Sequence, residues 1–175
     1  MTESDTGRRR NWSIRSVLQP GDLGMITAAH GTLYAAEYGW DVTFEAYVAR
    51  HLADFATRAP APRERIWIAD DAEGFAGCVA IVENSADTAQ LRWFLVHPAA
   101  RRTGLGRRLL GDAMAFARDA GFSTIVLDTV SELSDAARLY RAAGFVLVSE
   151  REESGWGRPV RAQRFSYGPA FGASE

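Results

Sequence analysis

The stretch from Leu91 to Gly121 constrains the fold more than any other part of this chain. It opens on an apolar, aromatic-rich run, Leu91 to Val96, of the length and composition of a buried strand. His97-Pro98 ends the run, because proline cannot donate to a sheet ladder. Arg101-Arg102-Thr103-Gly104-Leu105-Gly106 follows, and Leu105, Leu109, Ala113, Phe116 and Ala120 then recur at helical spacing. Gly121 stands where a glycine ends such a helix. The unit reads as strand, tight basic glycine loop, helix. A loop of this kind points successive backbone N–H groups, backed by the helix dipole, into one small space. Gly104 and Gly106 are expected to let a ligand approach the backbone where a Cβ would obstruct it. Arg101, Arg102, Arg107 and Arg108 add positive charge, so the physical reading is a cradle for a pyrophosphate.

An ordinary turn opening a helix would also produce this pattern. So would a dinucleotide-binding fingerprint, since Asp128 follows Gly104-Leu105-Gly106 by about 20 residues. That fingerprint lacks its third glycine, because Leu109 occupies the place. The order of elements also weighs against it. Ile66 to Ala69 and Phe75 to Val82 flank the acidic turn Asp70-Asp71-Ala72-Glu73-Gly74, and after a second turn at Asn84 to Asp87 the chain returns as Thr88 to Val96. Three consecutive antiparallel strands therefore precede the loop, where a doubly wound fold would alternate strand and helix. Upstream, Trp12 to Val17 alternates like a first strand, and a helix is expected over Leu23 to Tyr38, broken by Gly39-Trp40. Asp41 or Thr43 can cap a second helix carrying Phe44, Val48, His51, Leu52 and Phe55. Downstream, Phe122 to Asp128 is a short buried strand, joined to the Leu91 strand by a right-handed crossover. Ser131 or Ser134 caps a last helix ended by Gly144, and strands at Phe145 to Ser149 and Val160 to Tyr167 surround a loop over Ser154 to Pro159.

Composition narrows the class. At 175 residues, with 47% hydrophobic and 24% charged, the chain reads as one soluble domain over 12–168 between polar tails at 1–11 and 169–175. A net charge of −2 argues against a polyanion binder; Arg8-Arg9-Arg10 reads as a solvated tail, and no nucleic-acid or membrane partner is expected. No stretch reaches membrane-spanning length and no signal region is present, so cytoplasm is the default. Cys78, alone and in an apolar strand, reads as structural.

Two motifs carry a resemblance. Arg101, Gly104 and Gly106 match, in register, an R-x-x-G-x-G loop, and Ala136-x-x-Leu139-Tyr140-x-x-x-Gly144-Phe145 matches an A-x-x-L-Y-x-x-x-G-F signature. Together, in this order and between these elements, the chain resembles the GNAT superfamily of acyl-CoA-dependent N-acyltransferases. His30-Gly31-x-Leu33-Tyr34-Ala35-x-Glu37-Tyr38-Gly39-Trp40-Asp41-x-x-Phe44-Glu45 is similar to a branch often fused to MarR-type regulators, although only a short tail precedes the first strand here and no regulatory role is expected. The resemblance implies an α/β (α+β) fold: a mixed, mostly antiparallel sheet of about seven strands, splayed at the centre and flanked by about four helices. It implies acetyl-CoA as cosubstrate and no metal. Pantetheine would pair with backbone at Phe94, Leu95 and Val96, and the pyrophosphate would sit on Arg101, Arg102, Thr103, Gly104, Leu105, Gly106 and Arg107.

Acyl transfer from a thioester to an amine needs a neutral amine, a donor for the developing oxyanion and a proton for the departing sulfur. The resemblance assigns the last to Tyr140, with a backbone N–H near Leu95 and Val96 as oxyanion donor. Many relatives carry a glutamate as base where this chain has Gln90, and an asparagine where it has Leu133. Glu37, Glu83 and Asp128 are the alternative carboxylates, and a water chain without a dedicated base is a further one. Tyr34, Glu37, Tyr38 and Trp40 are expected to form part of the acceptor wall. The expected function is N-acetylation of a primary amine on a small molecule or side chain by direct transfer. A non-catalytic acyl-CoA sensor and, behind it, a dinucleotide-binding protein are the rival readings; a homodimer stays open.

Overall fold

The computed structural model describes residues 11–59 and 61–168; of the expected tails at 1–11 and 169–175, residues 1–10 and 169–175 lie outside the described residues. The elements in chain order are β1 (Ser13–Arg15), α1 (Asp22–Tyr38), α2 (Val42–Arg58), β2 (Arg65–Asp71), β3 (Gly74–Glu83), β4 (Thr88–Val96), α3 (Leu105–Asp119), β5 (Thr124–Val130), α4 (Ser134–Ala142), β6 (Val146–Gly155) and β7 (Arg158–Tyr167). A single 3-10 turn, Pro98–Ala100, leads into the glycine loop. The strands form one sheet in the order β1-β2-β3-β4-β5-β7-β6. Every pair in it is antiparallel except β4 with β5. The expected mixed, mostly antiparallel sheet with four helices is what the chain forms. No helix among the described residues is long and apolar enough to cross a membrane.

Helices cover both faces, which is why β3 is buried without interruption from Ala76 to Val82. Ile66, Ile68, Cys78 and Ala80 pack toward α1 and α2, with Phe44, Val48, Leu52 and Phe55. Trp67, Ala69, Val79 and Ile81 pack toward α3, with Leu105, Leu109, Leu110 and Ala113. Residues two apart share a face, as a pleated strand requires.

Strand β4 breaks that rule. Ala89 and Leu91 belong to the core under α3, whereas Trp93 and Leu95 belong to the core under α1 and α2. The pairing with β3 slips between Cys78 and Ala80, so that Trp93 and Phe94 together oppose Val79. Trp93 has φ 49°, a conformation that costs a bulky residue about 1–3 kcal/mol. This bulge turns the strand over and bends it. Pairing with β5 stops just before the bulge: in β4 only Thr88, Ala89 and Gln90 have partners there, on Thr124, Ile125 and Val126. Beyond Gln90 the two strands diverge, and a cavity opens between them.

Several boundaries differ from expectation. Trp12 and Val17 fall outside β1, and Phe122 closes the end of α3 through a bond from its N–H to the Ala117 carbonyl instead of opening β5. The loop expected over Ser154 to Pro159 is a two-residue turn: β6 runs on to Gly155, and Trp156 and Gly157, at φ 55° and 85°, return the chain with the hand that matches strand twist. Asp41 caps α2 through Thr43 N–H at 2.9 Å, but neither Ser131 nor Ser134 caps α4. Leu133 is its N-cap residue, so the first N–H groups of α4 have no side-chain partner.

Candidate active site

The glycine loop builds one end of the site from backbone. Arg102 and Gly104 adopt left-handed conformations, at φ 61° and 94°. The N-terminus of α3 carries no side-chain cap, and the N–H groups of Leu105, Gly106 and Arg107 have no backbone acceptor among the described residues. Uncapped donors at a helix N-terminus after left-handed residues suit a phosphate-bearing ligand. Gly104 serves this arrangement through its φ. Gly106 does not act as expected: a Cβ there would meet Val96 Cγ2 at 3.3 Å and Leu139 Cδ2 at 3.4 Å. The room it leaves is filled by the chain's own side chains, so this glycine lets α3 pack closely on β4 and α4. Arg101 extends from the loop, donating to the Val96 carbonyl at 3.2 Å and to Glu37 Oε1 at 2.6 Å.

Two cavities follow from the splay. The smaller, about 130 Å³, lies between α1, the end of β4 and the uncapped start of α4; Glu37, Tyr38, Val96, Arg101 and Ser134 border it. The larger, about 310 Å³, opens between β4 and β5 under α1 and α2. Tyr34, Phe94 and Leu133 border both, so the two adjoin there. Tyr140, from α4, borders the larger cavity, with its ring 5.8 Å from that of Phe94. Its hydroxyl has no hydrogen-bond partner among the described residues, and burial pushes its pKa well above the ordinary phenol value. It stays protonated, a donor beside the larger cavity.

The larger cavity is walled by aromatic rings. Trp40 stacks on Tyr34 at 5.1 Å and meets Trp156 at 4.4 Å and Phe44 edge-on at 4.6 Å. His30 lies beside them, 3% exposed, and burial depresses its pKa to about 4. Its Nδ1 is 2.8 Å from the Ile26 carbonyl, which can only accept, so Nδ1 carries the hydrogen and Nε2 is left as an acceptor. On the opposite wall, Asp128 accepts from Arg164 Nε at 2.7 Å and Nη2 at 2.8 Å, and from Gln90 Nε2 at 3.1 Å.

Comparison with known proteins places this arrangement. Residues 31–145 match the acetyltransferase (GNAT) family. The chain belongs to that family. It is 32% identical over 137 residues to an uncharacterized N-acetyltransferase of Schizosaccharomyces pombe, covering 77% of this chain and 83% of that one. It is 33% identical to an IAA acetyltransferase of Azospirillum brasilense, over 66% of this chain and 68% of that one. Among solved structures it resembles a spermidine N-acetyltransferase from Vibrio cholerae in complex with CoA and spermine, at a TM-score of 0.66 and 22% identity, covering 89% and 94% of the two chains. A candidate acetyltransferase from Salmonella typhimurium with acetyl-CoA superposes at a TM-score of 0.69 and 20% identity, over 93% and 96%. At these identities the two structures speak for the fold.

GNAT neighbours thus hold acetyl-CoA or CoA, and the described residues contain no group of three or more His, Cys, Asp or Glu that could hold a metal. Of the residues expected from the sequence, Trp40, Asp128 and Tyr140 border the larger cavity, Glu37, Tyr38, Leu95, Val96 and Arg101 the smaller, Tyr34 and Phe94 both, and Arg102, Thr103, Gly104, Leu105, Gly106 and Arg107 neither. Glu37 therefore faces the glycine loop more than the aromatic walls. Glu83 borders neither cavity; it pairs with Arg63 at 2.6 Å. Sequence reading passed over Arg92, Trp156 and the chemical part of His30. Helical spacing and the branch motif had already drawn attention to His30, whereas nothing local marked Arg92 or Trp156.

Proposed function

We propose that this GNAT protein is an acetyl-CoA-dependent N-acetyltransferase acting directly on a primary amine of a small molecule or side chain. The carrying observation is the meeting of the two cavities at Tyr34, Phe94 and Leu133, with the protonated Tyr140 beside it. When bound, acetyl-CoA supplies an activated acyl thioester. The N–H groups of Leu105, Gly106 and Arg107, with Arg101 and Arg102, hold its diphosphate, and Glu37 orients Arg101. The unpaired edge of β4 at Phe94, Leu95 and Val96 holds the pantetheine arm, and a backbone N–H there donates to the carbonyl oxygen. Tyr140 holds the proton needed by the departing sulfur.

The amine enters the larger cavity. Two groups there can take its proton, directly or through water: Asp128, which Gln90 and Arg164 hold in place, and the Nε2 of His30. The amide of Gln90 keeps the usual glutamate position out of proton transfer while fixing the neighbouring acid. The spermine complex of the Vibrio cholerae structure supports a small-molecule amine as acceptor class.

The test follows free thiol and acetylated product with acetyl-CoA and a panel of primary amines. Amine-dependent thiol release matched by N-acetyl product is expected. Calorimetric binding of acetyl-CoA without release for any amine would make the protein an acyl-CoA sensor, and absence of binding would overturn both readings.

A further inference from the structure

We infer that the acceptor amine also carries a carboxylate, which Arg92 binds inside the larger cavity. This rests on the amine-acetylating reading above and names the substrate class.

The charge inventory leads there. Three arginines, Arg92, Arg151 and Arg164, border the cavity against two carboxylates, Asp128 and Glu153, an excess of one positive charge. Arg164 is locked in a fork on Asp128, and Arg151 pairs with Glu153. Arg92 has no carboxylate partner among the described residues. Its one hydrogen bond runs from Nη2 to the Tyr47 hydroxyl at 3.0 Å, and its guanidinium lies 5.3 Å from the Trp93 ring. An acceptor that was only a cation would meet a surplus of like charge here, so the cavity disfavours polyamines and favours a ligand with an anion of its own.

Position supports the same assignment. Arg92 precedes the β4 bulge, two residues from Phe94 at the junction where the acetyl group is delivered. At about 3.3 Å per strand residue, the two Cα atoms lie within about 7 Å. An amine placed at the junction can therefore present its carboxylate to Arg92, whose planar fork matches two carboxylate oxygens. Two more groups bordering the cavity lack partners: the Trp40 indole N–H, a donor only, and the Thr129 hydroxyl. Trp40, Phe44, Tyr47 and Trp156 leave apolar and aromatic surface for the rest of the acceptor. The class is an amino acid or close analogue with an aromatic or apolar side chain.

The experiment compares matched pairs, L-tryptophan with tryptamine and L-phenylalanine with phenethylamine, and adds spermine. Thiol release should favour the carboxylated member of each pair by at least about tenfold in kcat/KM, with spermine poorest. Arg92→Gln should raise KM for the carboxylated amine about 10- to 100-fold more than for its partner, and Arg92→Lys should retain part of the preference. Equal or better use of tryptamine, phenethylamine or spermine, or an Arg92→Gln enzyme with unchanged preference, overturns the inference while leaving the acetyltransferase reading intact. A second readout is independent of turnover: N-acetyl-L-tryptophan should bind to the CoA-loaded protein more tightly than N-acetyltryptamine, and Arg92→Gln should remove the difference. That result without turnover of any amine would keep the carboxylate site and overturn the catalytic reading instead.

Discussion

The two ends of the proposed site are made from different materials. The cofactor end is backbone: uncapped N–H groups of α3, the unpaired edge of β4, and two left-handed residues that aim them. Nearly all of it lies between Phe94 and Arg107 in the chain. The acceptor end is side chain, drawn from α1, α2, β4, β5, β6 and β7, and its character depends on which rings and charges meet. Backbone donors recognise a constant ligand and tolerate change in the side chains around them. A cavity walled by side chains can be re-specified by single substitutions, which suits the half of the reaction that varies between relatives. Tyr140 borders the acceptor end, its ring 5.8 Å from that of Phe94, which borders both.

The sharpest way to break this division is at that point. Tyr140→Phe keeps the ring contacts with Phe94, Phe145 and Phe165 and removes the hydroxyl. With chemistry rate-limiting, kcat should fall about 10²–10⁴-fold while acetyl-CoA affinity and melting temperature stay near wild type. An unchanged kcat would return Tyr140 to packing alone.

A medium-sized effect separates the ends by pH. His30 belongs to the acceptor end and is buried neutral, its pKa depressed by burial from 6.5 to about 4. The unfolded chain therefore binds the proton first as pH falls, so this stability is fully present above pH 6.5 and is lost on acidification toward pH 4. Urea unfolding should show wild type losing about 2–3 kcal/mol more than His30→Leu between pH 7.5 and 4.5. Asp22, held below its ordinary value chiefly by its hydrogen bonds from Arg15, adds its own loss at lower pH. Equal pH slopes for the two proteins would show that His30 takes up its proton as readily in the fold as in the unfolded chain.

The smallest effect is the most discriminating. Glu37 was expected both as a base and in the acceptor wall, yet it pairs with Arg101 of the cradle. Both side chains are partly exposed, so the pair is worth about 0–1 kcal/mol. Glu37→Gln should raise the acetyl-CoA Kd about two- to fivefold and leave the amine KM alone. A change in amine KM with constant acetyl-CoA Kd would move Glu37 to the acceptor end and blur the division.

The sequence by itself determined the fold class, the order of the elements, the glycine loop and the family's CoA cofactor. These depend on short-range physics: an apolar run ended by proline, helical spacing from Leu105 to Ala120, a glycine at the left-handed position 104, and Leu139-Tyr140 one turn before Gly144-Phe145. The same local physics misread Gly106, because the atoms that need its missing side chain, Val96 and Leu139, come from β4 and α4. Tertiary structure alone decided the acceptor end. Strand β4 alternates buried and half-buried residues from end to end, so its sequence reads as one uninterrupted strand; only register against β3 reveals the bulge at Trp93 that exchanges its faces. Arg92, Gln90 and Asp128 share a cavity because β4 and β5 part beyond three residue pairs. Trp156 reaches Trp40 because the β6–β7 hairpin runs on to a two-residue turn. Each of these meetings joins residues far apart in the chain, where hydrophobic spacing carries no record of which strand will lie beside which.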